Sequence, residues 1–417
     1  MNPHQVLAII SNASSRKSLS AVRSLGKAGF QVAAIDSDVL APALHSRHCG
    51  FSLIRSEGET LLQACERLLD RDRSKFDRLG VQAFVVLPME EACVRELAEH
   101  PGHPRLNWLA PTVESLSVVE DKSRTLRFAA GRLTGPCRTP LSFEIRDVAE
   151  LPDRIETLRG LAAQNSPIRD WVIKPMQGKS ALGVTYWTMR FENSIWSSED
   201  ARGFEETTMD LLGEFGPLLI QERVPGSGVA YGVSALFDHD SELCVQHTHR
   251  RLHQYPLSGG PSTLRESCRR PDLESASIAL LRELDWVGVA MVEWKQDPRT
   301  QEFVLMEING RFWGSLELAI RAGADFPVEY VKSAMGIPLA SAKISREGVR
   351  CRWWIPGDVL RWIADPQREN FWKWWSDALQ DSEEIDRSDW RGLIATLVFT
   401  LSLLVRPRFW RYLRRGR

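Results

Sequence analysis

Much is missing from this sequence, and each absence excludes something. The seven cysteines show no short paired spacing, so neither a disulfide framework nor a thiolate zinc site is expected, and they read as buried or free thiols in a reducing compartment. Charge of one sign is not in excess: 53 basic residues stand against 54 acidic ones, which argues against a general nucleic-acid binder. The opening MNPHQVLAIISN has no basic segment followed by a long apolar run. Its apolar stretch is only strand-length, so no signal peptide is expected and the protein is placed in the cytoplasm. The loop SNASSRK lacks the spaced glycines of a dinucleotide fingerprint, which weakens an oxidoreductase reading.

What is present is a chain of 417 residues, 43% of them hydrophobic, enough for two or three domains with cores of their own. The run VLAII, a helix-like SLSAVRSLGKAGF stopped at Gly29, and QVAAID form a β-α-β opening, and AFVVLP at residues 83–88 is a further buried strand. Such alternation predicts a parallel, doubly wound sheet whose ligand crevice lies beyond the strand C-termini, so residues 11–17 and 88–91 are the loops placed to meet a ligand. From about Glu120 the texture changes to strands separated by glycine-rich loops. The expected domains are residues 1–119, 120–340 (in two lobes, 120–222 and 223–340) and 341–417. The last is helical and tryptophan-rich, with eight of the 15 tryptophans after Arg352.

The segment VAMVEWKQDPRTQEFVLMEINGR reads as an antiparallel hairpin whose loop centres near Arg299 and Thr300, which sets Glu293 opposite Glu307. Alternation then places Val289, Met291 and Glu293 on one face, with Leu305, Glu307 and Asn309 on the matching face. Two opposed carboxylates on an apolar face repel each other unless a cation lies between them. Oxygen-only ligation by Glu293, Glu307 and the Asn309 amide suits magnesium, with manganese as a substitute. Arg311 extends that face toward a phosphate or carboxylate. A surface hairpin with solvated acids is the alternative.

A metal of this kind calls for a nucleotide. WVIKPMQGKSALGV puts Lys174 at the end of a β-branched strand and follows it with Gly178, Lys179, Ser180 and Gly183, small residues that let backbone N–H groups approach phosphate oxygens. LLIQERVPG ends a strand at Gln221 and Glu222 and turns at Pro225 and Gly226. A strand ending this way can present a carboxylate and backbone groups to an adenine edge; an ordinary solvated glutamate before a turn is the bland reading.

Taken in order, Lys122 in EDKSRT, Lys174 in VIKP, the glycine-rich loop, QERVPG, and Glu293 with Glu307-Ile308-Asn309 resemble the ATP-grasp superfamily. HRRLHQYPLSGGPSTLRES and EINGRFWGSLELAIRAGADFP are similar to its carbamoyl-phosphate-synthase-like ligases, which join a carboxylate to an amine. The resemblance covers about residues 5–340 and is strongest over 171–327. It implies an α/β ATP-grasp fold: a Rossmann-like N-terminal domain, then two α+β subdomains clasping ATP, with a C-terminal helical extension. It implies Lys122 and Lys174 on the nucleotide phosphates, Glu222 at the adenine hinge flanked by Gln221 and by the Val224 backbone, Glu293, Glu307 and Asn309 on the metal, and Arg311 near the transferred phosphate. One departure is that GSGVAYGVS offers Ala230 and Tyr231 where relatives often carry an acid for the ribose. His247, His249, Arg251 and His253 alternate along a strand, but their place in this segment favours a substrate or phosphate role for Arg250 or Arg251 over a zinc site. Residues 258–263 would close over the acceptor.

The implied reaction uses small-molecule carboxylate and amine substrates and an acyl phosphate, and needs no protein nucleophile, since charge neutralisation and positioning supply the catalysis. The competing expectation is a non-catalytic ATP-binding module that acts through its tryptophan-rich end. GLIATLVFTLSLLV is shorter than the roughly 20 residues needed to span a bilayer. With the six arginines after it, interleaved with Trp410 and Tyr412, it suggests contact of residues 392–417 with the inner face of a membrane. A core helix with a solvated basic end is the alternative.

Overall fold

The computed structural model describes residues 2–163, 170–176, 183–192, 195–257, 259–337 and 341–404. Contacts divide the chain into two compact units, one of Met1–Leu116, Tyr231–Val292 and Asn309–Arg417, the other of Ser117–Ala230 and Glu293–Ile308. Its cuts fall after Leu116, Ala230, Val292 and Ile308, beside expected boundaries at residues 119, 222 and 340.

The first unit opens on four parallel strands in the order Phe51–Ile54, Gln31–Asp36, Val6–Ile10, Ala83–Leu87. Val6–Ile10 is buried along its whole length, and its alternate residues feed two cores, as a strand covered on both faces must. Val6, Ala8 and Ile10 pack with Ala21, Val22 and Leu25 of the Arg16–Lys27 helix. Leu7 and Ile9 pack with Leu61 and Leu68 of Leu61–Arg71 and with Leu97 of Glu91–Glu99. Gly29, which ends the first helix, has φ +88°, a left-handed conformation open to glycine at little cost. The chain's second and fourth strands flank the first, so the sheet's switch point lies over the C-terminal ends of Val6–Ile10 and Ala83–Leu87, as the sequence predicts. There the Ser11 N–H donates to the Leu87 carbonyl at 3.3 Å and the Met89 N–H to Ser11 Oγ at 2.9 Å.

The same unit holds the antiparallel strands Ser262–Ser267, Leu243–Gln254 and Ala230–Phe237, the last from Tyr231 on. Leu236, Val245, Val289 and Met291 join Phe312, Trp313, Phe326 and Tyr330 in the core that also holds Ala21. The residues expected as a separate extension are stitched into this unit. Arg350–Arg352 pairs antiparallel with Ser262–Ser267, and Lys343–Ile344 pairs with Val245 and Gln246. Asp358, fully buried, accepts from Thr263 Oγ1 at 2.9 Å, Trp374 Nε1 at 2.7 Å and Arg361 Nε at 3.2 Å, and pairs with Arg352. Burial pushes its carboxyl up, but His253, Arg352 and Arg361 together hold it well below the usual range. Trp354, Trp374 and Ala378 form a small core of their own, and the helices Val359–Ala364, Phe371–Asp381 and Trp390–Leu404 complete the region. None of the described helices is long and apolar enough to cross a membrane.

The clamp at the head of the last helix carries a stability prediction. Asp389 is fully buried and accepts from Arg23 Nε at 2.9 Å, Ser46 Oγ at 2.8 Å and the Arg47 N–H at 2.9 Å. Removing one partner of a buried pair leaves the other charge uncompensated, so Asp389→Ala is expected to cost about 3–5 kcal/mol by chemical denaturation. Burial raises the Asp389 carboxyl, but Arg23 and the bonds from Arg47 and Ser46 outweigh it and hold the group below its ordinary value. Its contribution is therefore present above about pH 4 and is lost as the pH falls through the folded value.

The second unit is built on an antiparallel sheet in the order Ser142–Ile145, Leu218–Glu222, Asp170–Pro175, Thr185–Thr188. Trp171, Ile173, Leu218 and Ile220 point to a core filled by Leu151, Ile155 and Leu158 of Leu151–Ala163 and by Phe204 of Ser198–Phe215. The helix Lys122–Ala129 and the tip of the Gly288–Gln296 and Phe303–Asn309 hairpin, which carries Cys137–Arg138 at its edge, also belong here.

Candidate functional site

In the second unit, strand register decides which side chains can meet a ligand. Lys174 lies opposite Leu219, and Val172 opposite Gln221. Directly opposed residues share a face, so Lys174 and Gln221 stand together on the side away from the core. Lys174 is 8% exposed. Burial first, then the nearby charge of Lys122, lowers its pKa to about 8, with Glu307 pulling the other way. A backbone bond explains why the two lysines converge: the Lys122 N–H donates to the Met176 carbonyl at 3.2 Å, two residues beyond Lys174. The helix at Lys122 is capped by Asp121, which accepts from the Ser123 and Arg124 N–H groups at 2.9 and 3.0 Å.

Gly183 has φ +72°, and a Cβ there would lie 2.8 Å from Pro175 Cγ, so the turn back from the strand admits only glycine. Gly178 and Ser180 lie outside the described residues. At the end of Leu218–Glu222, the carboxylate of Glu222 is paired with Arg138, which also donates to Glu302 at 2.8 Å. Gln221 differs: its Oε1 is buried and has no hydrogen-bond partner, a condition that costs free energy unless something is bound. The Val224 carbonyl accepts from Lys295 Nζ at 3.2 Å. Glu293 and Glu307 are both half-buried, on adjacent strands.

In the first unit, residues 11–17 and 88–91 do come together. Lys17 Nζ lies 2.9 Å from Glu90 Oε1 and donates to the Phe312 carbonyl at 2.9 Å. Burial, then the charge of Arg311, lowers its pKa to about 8 against the pull of Glu90 and Glu91. Arg311 donates to Glu91 at 3.1 Å, to the Phe312 carbonyl at 3.0 Å and to Asn309 Oδ1 at 3.3 Å. The turn after Phe303–Asn309, with Arg311 and Phe312, is thus gripped by Lys17 and Glu91 at the N-terminal sheet's switch point. Lys17, in the first turn of the Arg16–Lys27 helix, and Glu90, just before Glu91–Glu99, lie within residues 11–17 and 88–91.

Arg250 is held by Glu266 at 2.9 Å, whereas Arg251 lies directly opposite Arg265. Arg265 is fully buried, its pKa pushed down to about 10 chiefly by that burial. Glu383 pairs with both Arg265 and Arg16, and the Arg16 guanidinium sits 4.0 Å from the Trp353 ring centroid. No sequence signal links Glu383 to Arg16 and Arg265, which lie 367 and 118 residues before it. His247 and His249 stack at 5.7 Å, His247 Nδ1 meets Ser345 Oγ at 2.9 Å, and burial lowers the His247 pKa to about 3. Among the described residues no group of three or more His, Cys, Asp or Glu side chains is arranged to hold a metal. The magnesium set expected from the sequence has two acids and one amide.

The sequence profile of the carbamoyl-phosphate synthase L chain ATP-binding domain matches residues 241–342. No curated protein matches this chain in sequence. Among solved structures, the chain resembles the N5-carboxyaminoimidazole synthetase of Staphylococcus aureus complexed with ADP, at 11% identity and a TM-score of 0.55 over 81% of this chain and 79% of that one. It resembles the N5-carboxyaminoimidazole ribonucleotide synthetase of Thermus thermophilus at 17% identity and a TM-score of 0.54, over 82% and 81%. It also resembles the biotin carboxylase domain of the Hydrogenobacter thermophilus 2-oxoglutarate carboxylase, solved with MgADP, ADP and bicarbonate, at 14% identity and a TM-score of 0.58 over 83% and 73%. The chain thus has the ATP-grasp fold of these structures, and the matched profile falls on residues 241–342.

Proposed function

We propose that the protein is an ATP-dependent ligase that joins a small-molecule carboxylate to an amine through an acyl phosphate, in the cytoplasm. The observation that carries this reading is the convergence of Lys174, Lys122 and Glu307. Two lysines close enough for one to depress the other's pKa are unfavourable in an empty protein and favourable around a polyphosphate. ATP would lie with its phosphates on Lys122 and Lys174 and its adenine amine toward Gln221 Oε1, a buried acceptor without a partner among the described residues. Magnesium, or manganese in its place, would be held by Glu293, Glu307 and Asn309 and would neutralise phosphate charge. The substrate carboxylate attacks the γ-phosphorus, ADP leaves, and the amine then displaces phosphate from the acyl carbon. The lysines hold the charge that develops on the transferred group, and Arg311, beside Asn309, orients it, with Arg251 on the acceptor.

The reaction class is tested by incubating the full chain with MgATP, a panel of carboxylates and hydroxylamine, and measuring ADP together with hydroxamate. Carboxylate-dependent hydroxamate is expected. ADP release that no carboxylate stimulates and no hydroxylamine traps would overturn the acyl-phosphate step. The hinge assignment has its own readout. Gln221→Leu is expected to raise the KM for ATP about tenfold with kcat little changed, the signature of one lost hydrogen bond in ground and transition state alike.

A further inference from the structure

The C-terminal region leaves a large share of its apolar surface uncovered. The Phe371–Asp381 helix buries Trp374 and Ala378, while Phe371, Trp375 and Leu379, spaced four apart on one side, and the adjoining Trp372, 74% exposed, face outward. The Trp390–Leu404 helix repeats the arrangement. It buries Gly392 and Ala395 and turns Trp390, Ile394, Leu397, Val398 and Leu401 to solvent, Leu401 at 63%. Spacings of four, three, one and three place all five on one stripe. Soluble surfaces rarely leave so continuous an apolar stripe open.

We propose that this surface docks on an anionic lipid bilayer, with the Trp390–Leu404 helix lying in the interface. Three observations select that occupant. Length is the first: the apolar run from Gly392 to Val405 is 14 residues, short of the roughly 20 needed to span a bilayer, and one side of the described helix is already packed. Side-chain type is the second: Trp372, Trp375 and Trp390 are among the exposed residues, and tryptophan settles at the headgroup level, where its ring is apolar and its N–H stays wet. Charge is the third. From Trp390 to Arg417 there is no Asp or Glu, and residues 405–417, outside the described residues, read VRPRFWRYLRRGR with six arginines. Basic residues beside an apolar surface draw it toward an anionic one. The Asp389 clamp to Arg23, Ser46 and Arg47 holds the head of the helix in place, so docking requires no refolding. This inference stands apart from the ligase reading and is read out without turnover.

The test is co-sedimentation of the full chain with phosphatidylcholine vesicles, with and without phosphatidylglycerol. Binding to the anionic vesicles is expected to be at least about tenfold stronger, to weaken with added salt, and to fall about tenfold or more in Val398→Glu/Leu401→Glu. Trp372→Glu, a single change on the other helix, is expected to weaken binding further. Unchanged thermal unfolding of these surface variants separates lost docking from lost folding. Absence of pelleting with anionic vesicles, or pelleting undiminished in the double variant, would overturn the proposal. So would a lipid-free dimer that the same double variant dissolves, since the stripe would then belong to a second copy.

Discussion

Replacing Lys174 by methionine is expected to lower ATP-dependent turnover about a thousandfold, the usual cost of removing one preorganised charge from a transition state, while making the ligand-free protein more stable. The second effect follows from burial. Lys174 is 8% exposed and its pKa is lowered from 10.5 to about 8. A group whose folded pKa lies below its unfolded one is paying to stay protonated in the folded state. That cost is fully present below about pH 8 and fades as the pH rises toward the unfolded value. A difference of about 2.5 units corresponds to roughly 3 kcal/mol at neutral pH, and methionine fills similar space without the charge. Calorimetric unfolding with and without MgATP checks both halves: a higher midpoint without nucleotide, and a smaller upward shift on adding it. A variant that unfolds earlier than wild type and still responds fully to ATP would remove Lys174 from the nucleotide site.

Glu307→Gln is expected to lower turnover about a hundredfold or more and to raise the magnesium concentration for half-maximal activity at least tenfold, because an amide keeps the shape of the ligand and loses its charge. A second consequence separates this from general damage. Glu307 is the charge that props up the Lys174 pKa, so its neutralisation should move the alkaline limb of the pH profile for ATP affinity to lower pH. Titrating magnesium at several pH values reads both. Wild-type turnover at the wild-type metal requirement would sink the assignment of Glu307 as a ligand.

How far these sites can be read from sequence depends on how local their causes are. The parallel sheet and its crevice were legible because VLAII, QVAAID and AFVVLP are self-evident buried strands and because strand order follows from alternation with helices. Lys122 and Lys174 were legible through their motifs, but the reason they meet, a backbone bond from Lys122 to Met176, was not. The hairpin shows a limit of counting. Its turn is closed by Asp297 N–H to the Glu302 carbonyl at 2.8 Å and by Gln301 N–H to the Asp297 carbonyl at 2.7 Å, with Gln301 at φ +64°. Two residues thus oppose one, a bulge that no residue type in PRTQ announces, so counting across the turn does not fix which residue faces Glu293. The two hinge residues differ in the same way. Gln221 and Glu222 are equally polar in sequence, and only register with Asp170–Pro175 shows that one shares the lysine face while Arg138 takes up the other. Nor does any local pattern tie residue 389 to residue 23, which is why the C-terminal region reads as an appendage and folds as part of the first unit.

Glu383 illustrates what that integration means for chain length. It is the shared counter-ion of Arg16 in the first helix and of Arg265 in the antiparallel sheet, and Arg265 has no access to water. An insertion or deletion between Trp353 and Glu383 that slid the carboxylate by a single position would strand two cations at once. Changes of length should therefore be poorly tolerated across residues 353–383, whereas a tag or fusion joined beyond Leu404 leaves every one of these pairs in place.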